Sequence, residues 1–102
     1  MVIISGIIKL QSQAEVERLK TALIARAERS RADDGNIDYI FAQNIADPTE
    51  IRLFETWQSE AQLNAHLQIP DEAFSEVLTS AKIEHARVVA FDADGERVLM
   101  ER

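Results

Sequence analysis

From its first residues the chain alternates between two apolar sets, Val2, Ile4, Ile8 and Leu10 on one side and Ile3 and Ile7 on the other, with Gly6 between them. β-Branched residues dominate, which predicts a strand over residues 2–10 with both faces buried. Ser12 and Glu15 then make an S-x-x-E capping box, after which Val16, Leu19, Leu23 and Ala27 recur at helical spacing to about Ala32. Glu17, Arg18, Glu28 and Arg31 fall on the opposite, solvated face. Asp34-Gly35 ends the helix, the glycine taking the left-handed conformation cheaply.

Residues 36–45 (NIDYIFAQNI) and 51–57 (IRLFETW) are β-rich runs joined by Ala46-Asp47-Pro48-Thr49-Glu50, a connection with turn chemistry at Asp-Pro, and so predict a hairpin. Ser59 with Gln62 forms a second capping box, opening a short helix with Leu63, His66 and Leu67 on one face. Pro70 ends that helix and begins the next, where Phe74, Val77, Leu78 and Ala81 give an i, i+3, i+4, i+7 stripe behind Asp71 and Glu72 in the first turn. Residues 83–92 (IEHARVVAFD) predict a fourth strand, and Asp92-Ala93-Asp94-Gly95 turns it into a last short run, Arg97 to Met100.

The order β-α-β-β-α-α-β matches the split βαβ, ferredoxin-like plan of the α+β class: a four-stranded antiparallel sheet with helices on one face. Strands one, two and four are apolar on both sides, which a sheet open to water on one face should not be. A second copy covering the bare face is the simplest remedy. With 102 residues the chain is expected to form one domain, 1–102, and a chain this small gains by burying a face against a copy of itself.

Charge and composition narrow the function classes. The net charge is −7, and residues 35–81 carry one base against eight acids, so a phosphate backbone would be repelled and no nucleic-acid partner is expected. There are no cysteines, which excludes disulfides, thiolate metal sites and cysteine nucleophiles. The N-terminal MVIISGIIKL lacks a basic leader and a cleavage site, and no apolar run approaches the roughly 18 residues of a membrane helix, so a soluble, cytoplasmic protein without membrane partners is expected.

Gly35 and Tyr39, then Asp47-Pro48, Phe54-Glu55-Thr56-Trp57, Ser59-Glu60 and Ala65-His66-Leu67 before Pro70, form a recognisable string; E-x-W-x-S-x-x-x-L-x-x-H is its most specific part. It resembles the antibiotic biosynthesis monooxygenase family of dimeric α+β barrel proteins, over nearly the whole chain. The resemblance implies a homodimer whose sheets face each other as a barrel, with a pocket in each subunit between sheet and helices. It also implies oxidation of small phenolic or quinol-like aromatic molecules by O₂ with no flavin, haem or metal cofactor. Other members differ, including haem-degrading enzymes, so such a family fixes fold better than substrate.

Glu55 and Trp57 are two apart on one strand and share a face with Leu53. His66 points inward on the stripe of Leu63 and Leu67, so a Glu55–His66 hydrogen bond is expected to satisfy both groups. In the catalytic reading His66 removes a phenolic proton and Glu55 orients it, with Trp57, Leu63, Phe74 and Tyr39 lining the substrate pocket between the sheet and the second and third helices. In the structural reading His66 clamps its helix to the sheet and the aromatics are core. Both stay open at this level, as does a non-catalytic ligand-binding or accessory member of the same fold.

The remaining candidates are weaker. Phe41, Gln43 and Asn44 could line a pocket, Arg52 suits a salt bridge, and His85 has no partner at ligand spacing, so no metal site is expected. Haem-degrading relatives carry an Asn on the first strand, a Trp where this chain has His66, and an iron-ligating His about ten residues later, where Glu76 stands here; a carboxylate is a poor axial ligand, so haem chemistry is not expected.

Overall fold

The computed structural model describes residues 1–102. Seven elements follow in order: β1 (Val2–Leu10), α1 (Gln13–Arg31), β2 (Asn36–Gln43), β3 (Glu50–Trp57), α2 (Glu60–Gln68), α3 (Glu72–Ser80) and β4 (Ile83–Asp92). The strands form one antiparallel sheet in the order β2-β3-β1-β4, the ferredoxin-like α+β plan expected from the pattern. No helix is long and apolar enough to cross a membrane.

Local chemistry sets the helix ends. The Ser12 hydroxyl accepts from the Glu15 amide at 3.1 Å, Ser59 from the Gln62 amide at 3.2 Å and Asp71 from the Phe74 amide at 3.2 Å, each satisfying a first-turn donor that has no intrahelical partner. After α1 the chain reverses at Gly35, whose φ of +83° is the left-handed region; a Cβ there would also collide with the Gln62 side chain. α2 stops before Pro70 with Ile69 extended, as a residue preceding proline prefers.

Register decides what faces the helices. Across β1 and β3 the pairs are Val2–Trp57, Ile4–Glu55, Gly6–Leu53 and Ile8–Ile51, and β2 adds Tyr39 opposite Glu55 and Phe41 opposite Leu53. One core cluster gathers Val2, Ile4, Ala27, Tyr39, Leu53, Trp57 and Leu63; a second gathers Leu10, Val16, Leu19, Leu23 and Ile51. The alternate residues Ile3, Ile7, Ile40, Phe54, Val89 and Phe91 point the other way, onto a face with no helices, where Phe54 is 40% and Phe91 56% exposed.

The outer elements are less covered than the core. β4 is not buried on both faces: Val88, on the helix side, is 53% exposed, because the helices extend only over β2, β3 and β1. α3 has no fully buried residue and rests chiefly on α1; Phe74, Val77 and Ala81 of its stripe reach the core cluster of Leu10 and Ile51 only as partly buried neighbours. The run Arg97 to Met100 forms no strand. No regular element follows Asp92, and Val98, Leu99 and Met100 lie exposed with no neighbouring strand to pair with.

Candidate functional site

Beneath the helices, where β2 and β3 meet α1 and α2, several polar side chains are buried together. Ser59 starts α2 directly after β3, which brings His66 down onto Trp57, the ring centroids 4.6 Å apart. His66 is only 2% exposed. Its Nδ1 lies 2.6 Å from Asp33 Oδ2 in the α1–β2 turn, and its Nε2 lies 3.2 Å from Arg26 Nη2 on α1. A guanidinium can only donate, so Nε2 is the acceptor and Nδ1 carries the proton given to Asp33.

The expected Glu55–His66 hydrogen bond is not formed. Strand geometry puts the i+2 neighbour closer than the helix, and Glu55 Oε1 accepts from Trp57 Nε1 at 2.9 Å. Burial pushes the Glu55 carboxyl above the ordinary carboxylate range, only partly offset by the Trp57 N–H and by the positive sides of His66 and Arg26. Burial likewise raises Tyr39, helped by the charge of Glu55 across the β2–β3 pair and opposed by Arg26 and Ser30.

Arg26 links this cluster to α3. Its Nη1 lies 3.0 Å from Asp71 Oδ2, its guanidinium sits 4.9 Å from the Phe74 ring centroid, and Arg29 Nη1 approaches the same Asp71 oxygen at 2.8 Å. Burial would raise Asp71, but the Phe74 amide and the two arginines outweigh it and hold the carboxyl below its usual range. Asp33, Arg26 and Asp71 were not expected here. The signal for Arg26 is in the sequence: Leu19, Leu23, Arg26 and Ser30 fall on one helical stripe, so a cation and a hydroxyl interrupt the inward face, and Ser30 is fully buried, donating to the Arg26 carbonyl at 2.7 Å.

A solvent-open cavity lies to one side of the expected place. It has a volume of about 250 Å³, runs between α1 and the β2 edge of the sheet, and is lined by Val16, Lys20, Leu23, Ile24, Ala27, Arg31, Phe41, Gln43 and Ile51. Of the predicted lining, Trp57, Leu63 and Tyr39 are core, and Phe74 caps the Arg26–Asp71 pair and lines a second cleft of about 200 Å³ between α1 and α3. Phe41 joins the two regions: it lines the cavity and meets Tyr39 edge-on at 5.7 Å, and Tyr39 meets His66 at 5.9 Å. Arg52 pairs with Glu50, Asn44 donates to the same Glu50 oxygen, and His85 stands exposed on β4.

The fold has close counterparts among solved structures. A candidate antibiotic biosynthesis monooxygenase from Deinococcus radiodurans matches with a TM-score of 0.86 at 20% identity, covering 99% of this chain and 100% of its own. One from Nitrosomonas europaea gives 0.81 at 19%, covering 91% and 98%. Rv0793 from Mycobacterium tuberculosis gives 0.74 at 18%, covering 96% and 100%. No curated protein gives a significant sequence match. The sequence profile described as antibiotic biosynthesis monooxygenase matches residues 1–77, and with that much of its 102 residues under the profile the chain belongs to the antibiotic biosynthesis monooxygenase family.

Proposed function

We propose that the protein is a homodimeric monooxygenase that oxidises a small aromatic or quinol-like substrate with O₂ directly, using no flavin, haem or metal. Family membership supports the monooxygenase-like role. The observation that carries the finer reading is an apolar cavity, open to solvent, joined through Phe41 and Tyr39 to a buried group of titratable side chains. At about 250 Å³ it lies near the lower end of ligand pockets, roughly 300 Å³, and suits one or two rings.

A phenol or quinol becomes a far better electron donor to O₂ once deprotonated. In oxidation of a ring methylene to a carbonyl, one oxygen atom enters the substrate, the other leaves as water, and the substrate supplies all four electrons. His66 is the proton acceptor in this reading, oriented by Asp33 rather than Glu55, and Nε2 is its accepting atom once the Arg26 Nη2 contact gives way. Glu55 supplies a buried negative charge beside Arg26 and His66. Tyr39 forms the wall between cavity and histidine, with Trp57 and Leu63 packed beneath it and Phe74 holding Arg26 in place.

A second reading, a binding or accessory member without catalysis, is favoured by one observation: both His66 nitrogens already have partners. Oxygen uptake with a panel of one- and two-ring quinols and phenols separates the two. Uptake above background is expected, and none would leave only the binding role. The dimer draws support from the bare apolar face. Sedimentation is expected to give a dimer burying more than about 1,200 Å² in total, and deletion after Asp94 to loosen it; a stable monomer at micromolar concentration would exclude the assembly.

A further inference from the structure

The cavity carries charge of one sign. In a chain of net charge −7, its lining holds Lys20 and Arg31 and no acid. Neither cation is fully matched by its surroundings. Lys20 approaches a carboxylate only at Glu17, 4.0 Å away with both side chains more than half exposed, a geometry worth little. Arg31 has no carboxylate within 4 Å; its Nε donates to the Tyr39 carbonyl at 3.0 Å, which fixes the guanidinium at the mouth with its terminal nitrogens uncommitted. The floor is apolar, made by Val16, Leu23, Ala27, Phe41 and Ile51.

We infer that this cavity selects organic anions: a one- or two-ring aromatic acid or phenolate, its rings on the Phe41 floor and its negative end between Lys20 and Arg31. The inference rests on the reading of the cavity as the substrate site and names the substrate class it takes. A rim of two cations over an apolar floor favours the anionic form of a ligand over its neutral isostere, and a guanidinium offers a carboxylate two parallel donors. Held there, a phenolate would keep its electron-rich form next to the wall formed by Tyr39.

The test compares two probes of equal shape, 2-naphthoate and 2-naphthamide, by calorimetry on the full chain at low salt. The acid is expected to bind about tenfold more tightly, the scale that two rim charges supply. The preference is expected to disappear in Lys20→Met/Arg31→Met and to shrink as salt rises above about 0.1 M, where screening acts within about 10 Å. Ile24→Trp, at the 51% exposed mouth, is expected to block both probes, with melting temperatures showing that each variant folds. Equal affinities in the wild type, no binding of either probe, a preference that survives the double substitution, or binding untouched by Ile24→Trp would each overturn the inference. Binding that emerges only after deletion of residues 96–102 would assign the cavity to that segment of a second copy and also overturn it. Calorimetry needs no turnover, so an acid preference without oxygen uptake would leave this site standing and remove the oxidation, whereas uptake on neutral quinols without the preference would do the reverse.

Discussion

Two regions on the same side of the sheet treat charge in opposite ways. Around His66, most polar groups are answered: Asp33 and Arg26 take the two ring nitrogens, Trp57 donates to Glu55, and Asp71 neutralises Arg26, whose Nε alone is buried without a hydrogen-bond partner. At the α1–β2 cavity, two cations stand over apolar walls with no acid among the lining residues. A closed polar cluster spends its hydrogen-bonding capacity on holding elements together, whereas an open, one-signed rim leaves capacity for a ligand. Substitutions that remove a packed or hydrogen-bonded side chain should therefore cost stability in the first region and affinity in the second.

The sharpest attempt to break the contrast is Trp57→Ala. The indole is fully buried between β1 and α2 and donates to a buried acid, so its loss is expected to cost about 3–5 kcal/mol in denaturant unfolding. A cost under about 1 kcal/mol would mean that the cluster is far softer than its packing implies.

His66→Ala comes next. Removing the shared partner of Asp33 and Arg26 is expected to destabilise by about 1–3 kcal/mol. If His66 is also the proton acceptor, turnover per folded molecule falls by roughly 10² to 10⁴. Measuring urea unfolding and oxygen uptake on one preparation separates the roles, and wild-type turnover in the folded variant removes the catalytic one.

Glu55→Gln tests the sign of a buried charge. The folded-state pKa lies above the ordinary value of 4.5, so the native protein holds the proton more tightly than the unfolded chain, and stability declines as pH rises from 4.5 through the folded value. Glutamine keeps an oxygen for Trp57 Nε1 and carries no charge. The variant is expected to melt higher than the wild type at pH 7, with the gap closing below pH 4.5. A lower melting temperature at pH 7 would show that the pull of Arg26 and His66 on the carboxylate exceeds the cost of burying it.

The smallest stability effect belongs to the cavity. Ile24 is half exposed at its mouth, so Ile24→Trp is expected to change unfolding free energy by no more than about 0.5 kcal/mol. A large loss would show that the cavity walls are part of the core after all.

Much of this molecule was legible in its sequence because much of it is local. The capping boxes at Ser12 and Ser59, the stop at Gly35, the break at Pro70 and the period-2 strands depend on residues within a few positions of one another, and the structure has them within a residue or two. Their order was enough for the ferredoxin-like sheet, and the string ending in His66 was enough for the family. The inward orientation of Glu55, Trp57 and His66 was legible too, since it follows from strand and helix periodicity alone.

Which partners those side chains take was settled only in three dimensions. Glu55 and His66 share an interior, but His66 is reached first by Asp33, 33 residues away, and by Arg26, 40 residues away, while Glu55 turns to its own strand neighbour. The cavity likewise depends on how α1 lies across β2 and the start of β3. Periodicity assigns a side chain to a face; the angle at which two faces meet is set by packing among residues distant in the chain, and that angle decides which pairs touch and where a space is left.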